Sequence, residues 1–160
     1  KLLLTIPNVG VDTAVTILVE IVDIRYFENS KRLVKWAGLA SRVNQSGHRK
    51  RKTGHIYKGG NKWLREATWI AAKNCYAYYK TIGDPIGAFI DRLYKQKHKH
   101  YFVAVAAGAR KLLAYIYQIL MQQQPFEDIF KVEHLKQLKK NRARKHRTLQ
   151  KLIKDATVNN

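Results

Sequence analysis

Apolar positions recur at helical spacing through most of the chain and predict an all-α, mainly helical fold. Val11 to Val22 reads as a first helix, with Ala14, Ile17, Leu18 and Ile21 on one face. Asn29 or Ser30 can cap a second helix through Trp36, and Gly38 stops it. Residues 39 to 60 lack sustained periodicity and hold four glycines, which predicts a long loop or a short hairpin. Asn61 then caps a long helix, "KWLREATWIAAKNCYAYYKTI", ending near Gly83. Asp84-Pro85 is a cap and first-turn signal for a fourth helix through about Lys95. A fifth runs from about His100 to Gln123, and a sixth follows Pro125.

Composition turns this pattern into an expectation about partners. At 160 residues and 46% hydrophobic, the chain can bury one core. The reading is a domain over 1–124 and a basic helical tail over 125–160. Thirty-one Lys and Arg stand against 11 Asp and Glu, a formal net charge of +20, so a polyanion is the expected partner. Nucleic acid comes first and an anionic membrane second. The membrane reading weakens because no run of about 18 uninterrupted apolar residues occurs, and "KLLLTIPNVG" has the wrong flanks for a signal peptide. A soluble intracellular protein is expected. Cys75 is the single cysteine, which excludes an intrachain disulfide and argues against a cysteine-based zinc site. The chain has no initiator Met and starts directly into an apolar run, so it is expected to be a fragment of a longer protein.

The charge is uneven. From Asn29 to Arg65 there are 11 basic and no acidic residues, and from Lys131 to Lys154 ten basic residues and one acid, Glu133. The apolar and aromatic stretch between them should supply the core. Within the second zone Lys139, Lys140, Arg142, Arg144, Lys145 and Arg147 could track phosphates, beside the plainer reading of a solvated helix face. At the N-terminus "LTIPNVGVDTAVTILVEI" has the shape of a helix-hairpin-helix, whose tight turn over Pro7, Asn8 and Gly10 would leave backbone N–H groups free to grip a phosphate. Asn8 takes a position usually held by glycine, and asparagine tolerates positive φ best among the other residues. The alternative is a generic turn entering a helix. Trp63, Trp69, Tyr76, Tyr78 and Tyr79 could in principle stack on bases, but most of them read as core or half-buried helix faces. His98 and His100 are two apart, on different faces of a helix, and read as surface; no metal site is expected.

"QSGHRKRKTGHIYKGGN" concentrates the candidate chemistry. Attack by Ser46 on a phosphodiester would need positive charge around the non-bridging oxygens. Arg49, Lys50, Arg51, Lys52 and Lys58 could supply it, while Gly47, Gly59 and Gly60 let backbone approach a phosphate. No carboxylate in the stretch could hold a metal or act as base. From the residues themselves Ser46 reads as a phosphate contact.

Taken in order, "LLTIPNVGVDTAVTILVEIVDIRYF", "KRLVKWAGLASRVNQSG", "TGHIYKGGNKWLREATWIAA" and "VAVAAGARKLLAYIYQIL" resemble the C-terminal transposase domain of the insertion-sequence family numbered one-ten, with relatives one-one-six and nine-oh-two. The resemblance runs from about Leu2 to Leu120. It implies a DEDD-type transposase whose RuvC-like N-terminal domain, absent from this chain, carries the carboxylates for Mg²⁺. It further implies that Ser46 of the Ser46-Gly47 motif is a nucleophile forming a covalent link to DNA. Lys58, Gly60, Asn61, Leu64 and Arg65 would be DNA-contacting or site-shaping positions, and Tyr57 departs from the small hydroxyl residue more common there. A structured non-coding guide RNA, a homo-oligomeric full-length protein and a cytoplasmic, nucleoid-associated location in a prokaryote are also implied. Two other readings compete: a non-catalytic helix-hairpin-helix DNA-binding module, and a structural domain that binds a guide RNA.

Overall fold

Three side chains mark where helices begin. In the computed structural model the Asn29 side chain accepts from the backbone N–H of Arg32 at 3.1 Å and opens α2 (Ser30–Trp36). Asn61 accepts from Leu64 N–H at 2.9 Å at the head of α3 (Lys62–Ile82). Asp84 accepts from Ile86 N–H at 2.8 Å at the head of α4 (Pro85–Asp91), with Pro85 in the first turn. Each satisfies an N–H that the first helical turn leaves unpaired. The remaining helices are α1 (Val11–Ile21) and α5 (Tyr101–Gln122). The structure describes residues 1–44, 52–82 and 84–131. It divides the chain into two units, Lys1–Phe126 and Glu127–Asn160. In the second, residues 127 to 131 are helical, and the basic run from Lys139 to Arg147 lies outside the described residues.

The fold is mainly helical, as the periodicity predicts, and of the two alternatives for residues 39 to 60 the short hairpin is the one present. Residues 39 to 60 include a two-stranded antiparallel hairpin, β1 (Ser41–Asn44) and β2 (Lys52–Ile56), pairing Ser41 with Ile56 and Val43 with Thr53 across a bulge. The fourth helix is not uniform to Lys95: after Asp91 the chain winds more widely over Arg92–Gln96, where Lys97 N–H reaches back five residues to Arg92 C=O at 3.1 Å. Leu18 also differs from expectation. It is 42% exposed, because α1 buries only a narrow seam of Ala14, Ile17 and Ile21. Leu18 instead joins Val11, Val15, Val19 and Val22 on the outward side.

The core of the first unit forms around α5, which packs on α2, α3 and α4, while α1 packs on α3. Leu112, Leu113, Ile116 and Ile119 of α5 are fully buried, each burial contributing about 1.5–3 kcal/mol before chain entropy is counted. Two helical glycines set the spacing. A side chain at Gly87 of α4 would strike the Cys75 carbonyl of α3, and one at Gly108 of α5 would strike Ile90 of α4. Among the described residues α5 is the one helix long and apolar enough to cross a membrane, yet 56% of its apolar window is buried inside the fold, and Arg110 and Lys111 lie at its middle. A core helix meets the same criteria.

A second kind of junction positions the hairpin. Asn61 N–H donates to Trp36 C=O at 2.6 Å and Tyr57 N–H to Ala40 C=O at 2.7 Å. The turn before α3 thereby lies directly on the end of α2. Gly38 is in the left-handed region, φ 70°, and a Cβ on Gly60 would collide with the Trp36 carbonyl and the Gly38 backbone. The Asn61 side chain also donates to Glu20 of α1 at 2.6 Å, so one residue ties three helices.

The opposite end holds a buried polar node. Asp84 is 1% exposed. Burial raises its carboxyl above the usual 3.8, countered in part by the Cys75 thiol, the amides of Ile86 and Gly87 and the Asn8 side chain. The Asn8 amide nitrogen and Asp84 Oδ2 nonetheless complete no well-directed hydrogen bond. Cys75 Sγ lies 3.5 Å from Pro7 C=O as donor, and burial, with Asp84 beside it, pushes its thiol up.

Two outcomes follow from these junctions. Gly60→Ala should cost about 1–3 kcal/mol in urea unfolding, since backbone must move to admit the methyl group; wild-type stability in that variant would contradict the close approach. Because the native pKa of Asp84 is raised, the native state holds that proton more tightly than the unfolded chain. Its contribution is full below the unfolded value and is lost as pH rises through the native one. Asp84→Asn keeps the cap, since Asn caps as well as Asp, and should be at least as stable as wild type at pH 7. Its advantage should shrink as pH falls towards 4; an advantage that grew on acidification would contradict the raised value.

Candidate nucleic-acid interface

The base of the hairpin opens onto a cleft. Ser41 of β1 and Ile56 of β2 line a cavity of about 1240 Å³ together with the first turns of α3 and α5. Five cations face it, Lys58, Lys62, Arg65, Lys99 and Arg110, against one carboxylate, Glu66. That donor set suits phosphate oxygens and does not suit a divalent metal, which would need several anionic or neutral oxygen ligands. Among the described residues no group of three or more His, Cys, Asp and Glu gathers to hold a metal ion.

The cations differ in freedom. The Arg65 guanidinium spans the turn, donating from Nη1 to Ala37 C=O and to Lys58 C=O, each at 3.2 Å. It holds the cleft wall in place. Arg110 reaches from mid-α5 to the hairpin, donating to Ser41 Oγ at 3.1 Å. Burial lowers its pKa from the ordinary guanidinium value, and no carboxylate among the described residues pairs with it. A guanidinium stays protonated even so. Arg110 is thus a partly desolvated charge with a neutral partner, an arrangement that favours an incoming anion.

Aromatic faces complete the cleft. Trp69 of α3 and Phe102 of α5 lie with ring centroids 6.1 Å apart and planes tilted by 31°. Phe102 is 60% exposed. On the other side of the turn a shallower depression of about 600 Å³ is lined by Arg32, Lys35, Trp36, Tyr57, Gly59, Gly60 and Asn61. The Tyr57 ring covers Gly59 so closely that a Cβ there would strike it.

The residues singled out in the sequence divide among these places. Lys58 and Arg65 line the cleft, and Gly60 and Asn61 line the shallower depression while locking the turn. Lys52 lies in β2. Ser46, Gly47, Arg49, Lys50 and Arg51 fall outside the described residues. Pro7, Asn8 and Gly10 form the turn before α1, and Asn8 does adopt positive φ, 61°. The element before that turn is a four-residue 3₁₀ turn, Leu2–Thr5, and Asp12 in the first turn of α1 places a carboxylate where a phosphate would bind. Of the five aromatic residues, Trp69, Tyr76 and Tyr79 are half-buried, as expected for most of them, while Trp63 and Tyr78 are exposed, at 58% and 57%. Lys62, Lys99, Phe102 and Arg110 went unnoticed in the sequence. The one signal available was "KHKHYF", cations running straight into aromatics at a helix start.

Known proteins are similar to this sequence. A pilin gene-inverting protein of Moraxella bovis is 35% identical over 128 residues, covering 79% of this chain and 38% of the relative. The pilin gene-inverting protein of Moraxella lacunata matches to the same extent. The chain therefore spans well under half the length of these curated relatives. The family pattern described as transposase IS116/IS110/IS902 matches residues 1–84, the stretch that builds α1, α2, the hairpin and α3. By that match over more than half of its length, the chain belongs to the transposase IS116/IS110/IS902 family.

Proposed function

We propose that this chain is the part of a DNA recombinase that grips the DNA backbone and presents Ser46 to a phosphodiester. The observation that carries the reading is the cleft of five cations and one acid at the base of β1 and β2, the two strands between which Ser46 falls in the sequence. The family match and the gene-inverting relatives support a role in rearranging DNA. Arg110, Lys58 and Lys99 neutralise the phosphate oxygens, and Arg65 fixes the geometry of Lys58 by holding its carbonyl. The Ser46 hydroxyl attacks phosphorus, the bond to the leaving sugar oxygen breaks, the serine proton ends on that oxygen as a sugar hydroxyl, and a phosphoserine diester conserves the energy for rejoining. Mg²⁺, in this reading, is held by carboxylates outside this chain, and no step above depends on a metal ligand within it. The guide RNA and a homo-oligomeric assembly belong to the same proposal.

Two measurements test it. In the full-length protein with its RNA, Mg²⁺ and a nicked suicide substrate, a covalent peptide-DNA adduct should map to the peptide containing Ser46, and Ser46→Ala should abolish strand exchange while leaving DNA binding nearly intact. Recombination without an adduct, or surviving Ser46→Ala, would return the serine to a phosphate contact. Purified chain 1–160 should bind duplex DNA without recombining it, with log affinity falling against log salt by about 0.9 per phosphate contacted. Arg110→Gln should flatten that slope by about one contact. A flat wild-type response would mean that the positive surplus serves something other than phosphate.

A further inference from the structure

We infer that the cleft between the hairpin, α3 and α5 is a receptor for an unpaired nucleotide, its base stacked on Phe102 and Trp69 and its flanking phosphates on Arg110 and Lys99. The inference rests on the nucleic-acid reading of the cleft and adds to it the state of the strand.

The rings carry the argument. A duplex keeps its bases stacked on one another and offers a protein only phosphates and groove edges. Cations meet that need fully, and Phe102, 60% exposed at the start of α5, would gain nothing from it. An unpaired base has a free face, and aromatic side chains beside cations are how proteins hold it. Trp69 at 6.1 Å and 31° and His100 at 5.5 Å and 38° both lie against the Phe102 ring, and together they fix it while 60% of its surface stays open to a base. The volume fits as well. About 1240 Å³ exceeds the roughly 300–1,000 Å³ of a typical small-ligand pocket, leaving room for a nucleotide and the phosphates on either side. Arg110, half-withdrawn from water and bound to the neutral Ser41 hydroxyl at 3.1 Å, sets one phosphate position at the foot of β1. Aromatic contact continues out of the cleft, from Phe102 to Tyr101 at 5.6 Å and on to Tyr76 at 5.9 Å and Tyr94 at 5.7 Å, a path for the next bases.

The test is fluorescence anisotropy of the 160-residue chain with labelled oligo(dT), oligo(rU) and a blunt DNA duplex of equal length. Phe102→Ala should weaken oligonucleotide binding roughly 5- to 100-fold, the range expected for one lost stack, and leave duplex affinity within about twofold. Phe102→Trp should restore it. In a Trp36→Phe, Trp63→Phe background the remaining Trp69 fluorescence should be quenched by the single strand and not by the duplex. Loss confined to oligo(dT) assigns the strand as DNA, and loss confined to oligo(rU) assigns it as RNA; either supports the receptor. Equal loss for single strand and duplex, or no loss with melting temperature unchanged, overturns it, as would a cleft that binds only protein. These readouts do not involve Ser46, so an absent adduct and an intact stack, or the reverse, separate this inference from the recombinase reading.

Discussion

The arrangement of this domain depends on one backbone contact without room for a side chain. Gly60 lies against the Trp36 carbonyl and the Gly38 backbone, and the hydrogen bond from Asn61 N–H to Trp36 C=O fixes the two segments at 2.6 Å. The end of α2, the exit of the hairpin and the start of α3 therefore share one point. From it Arg65 reaches back to Ala37 and Lys58, and Asn61 reaches across to Glu20. Every cation of the cleft is placed relative to that junction or to α5, which packs on α3.

The cleft itself combines two chemistries that usually serve different ends. Charge without sequence information holds a polyanion anywhere along its length, whereas exposed rings discriminate by the state of the base. Here both converge beside the hairpin base. Arg110 lines the same cleft as the aromatic pair, and its side chain runs from a core helix to Ser41. Holding a guanidinium partly out of water has a cost, and the neighbouring packing of Leu112 and Leu113 on α5 can offset it.

The legible part of the sequence was local. Asn29, Asn61 and Asp84 cap helices through their own side chains two or three residues along the chain, so the cap is written beside the helix it starts. Asn8 and Gly38 likewise carry their positive φ in their residue type. Contacts made across the fold were not legible. Leu18 satisfies helical periodicity as well as Ile17 does, and only the narrow seam between α1 and α3 decides that Ile17 is buried and Leu18 is not. Arg110 meets Ser41 across 69 positions of chain, and Trp69 meets Phe102 across an intervening helix. For the motif around Lys58, the structure brings Lys58 and Arg65 to one cleft, while the wall-building role of Arg65 became visible only through its hydrogen bonds to Ala37 and Lys58.

The hairpin is closed at its root from both sides: Tyr57 N–H bonds Ala40 C=O, and Asn61 N–H bonds Trp36 C=O. Whatever lies between Ala40 and Tyr57 thus leaves the body and returns at fixed points. Lengthening such a closed loop adds only a logarithmic entropy cost, about 0.6 kcal/mol per doubling. An insertion or deletion between Ala40 and Tyr57 therefore changes the stability of the body little as long as the two hydrogen bonds at the root hold.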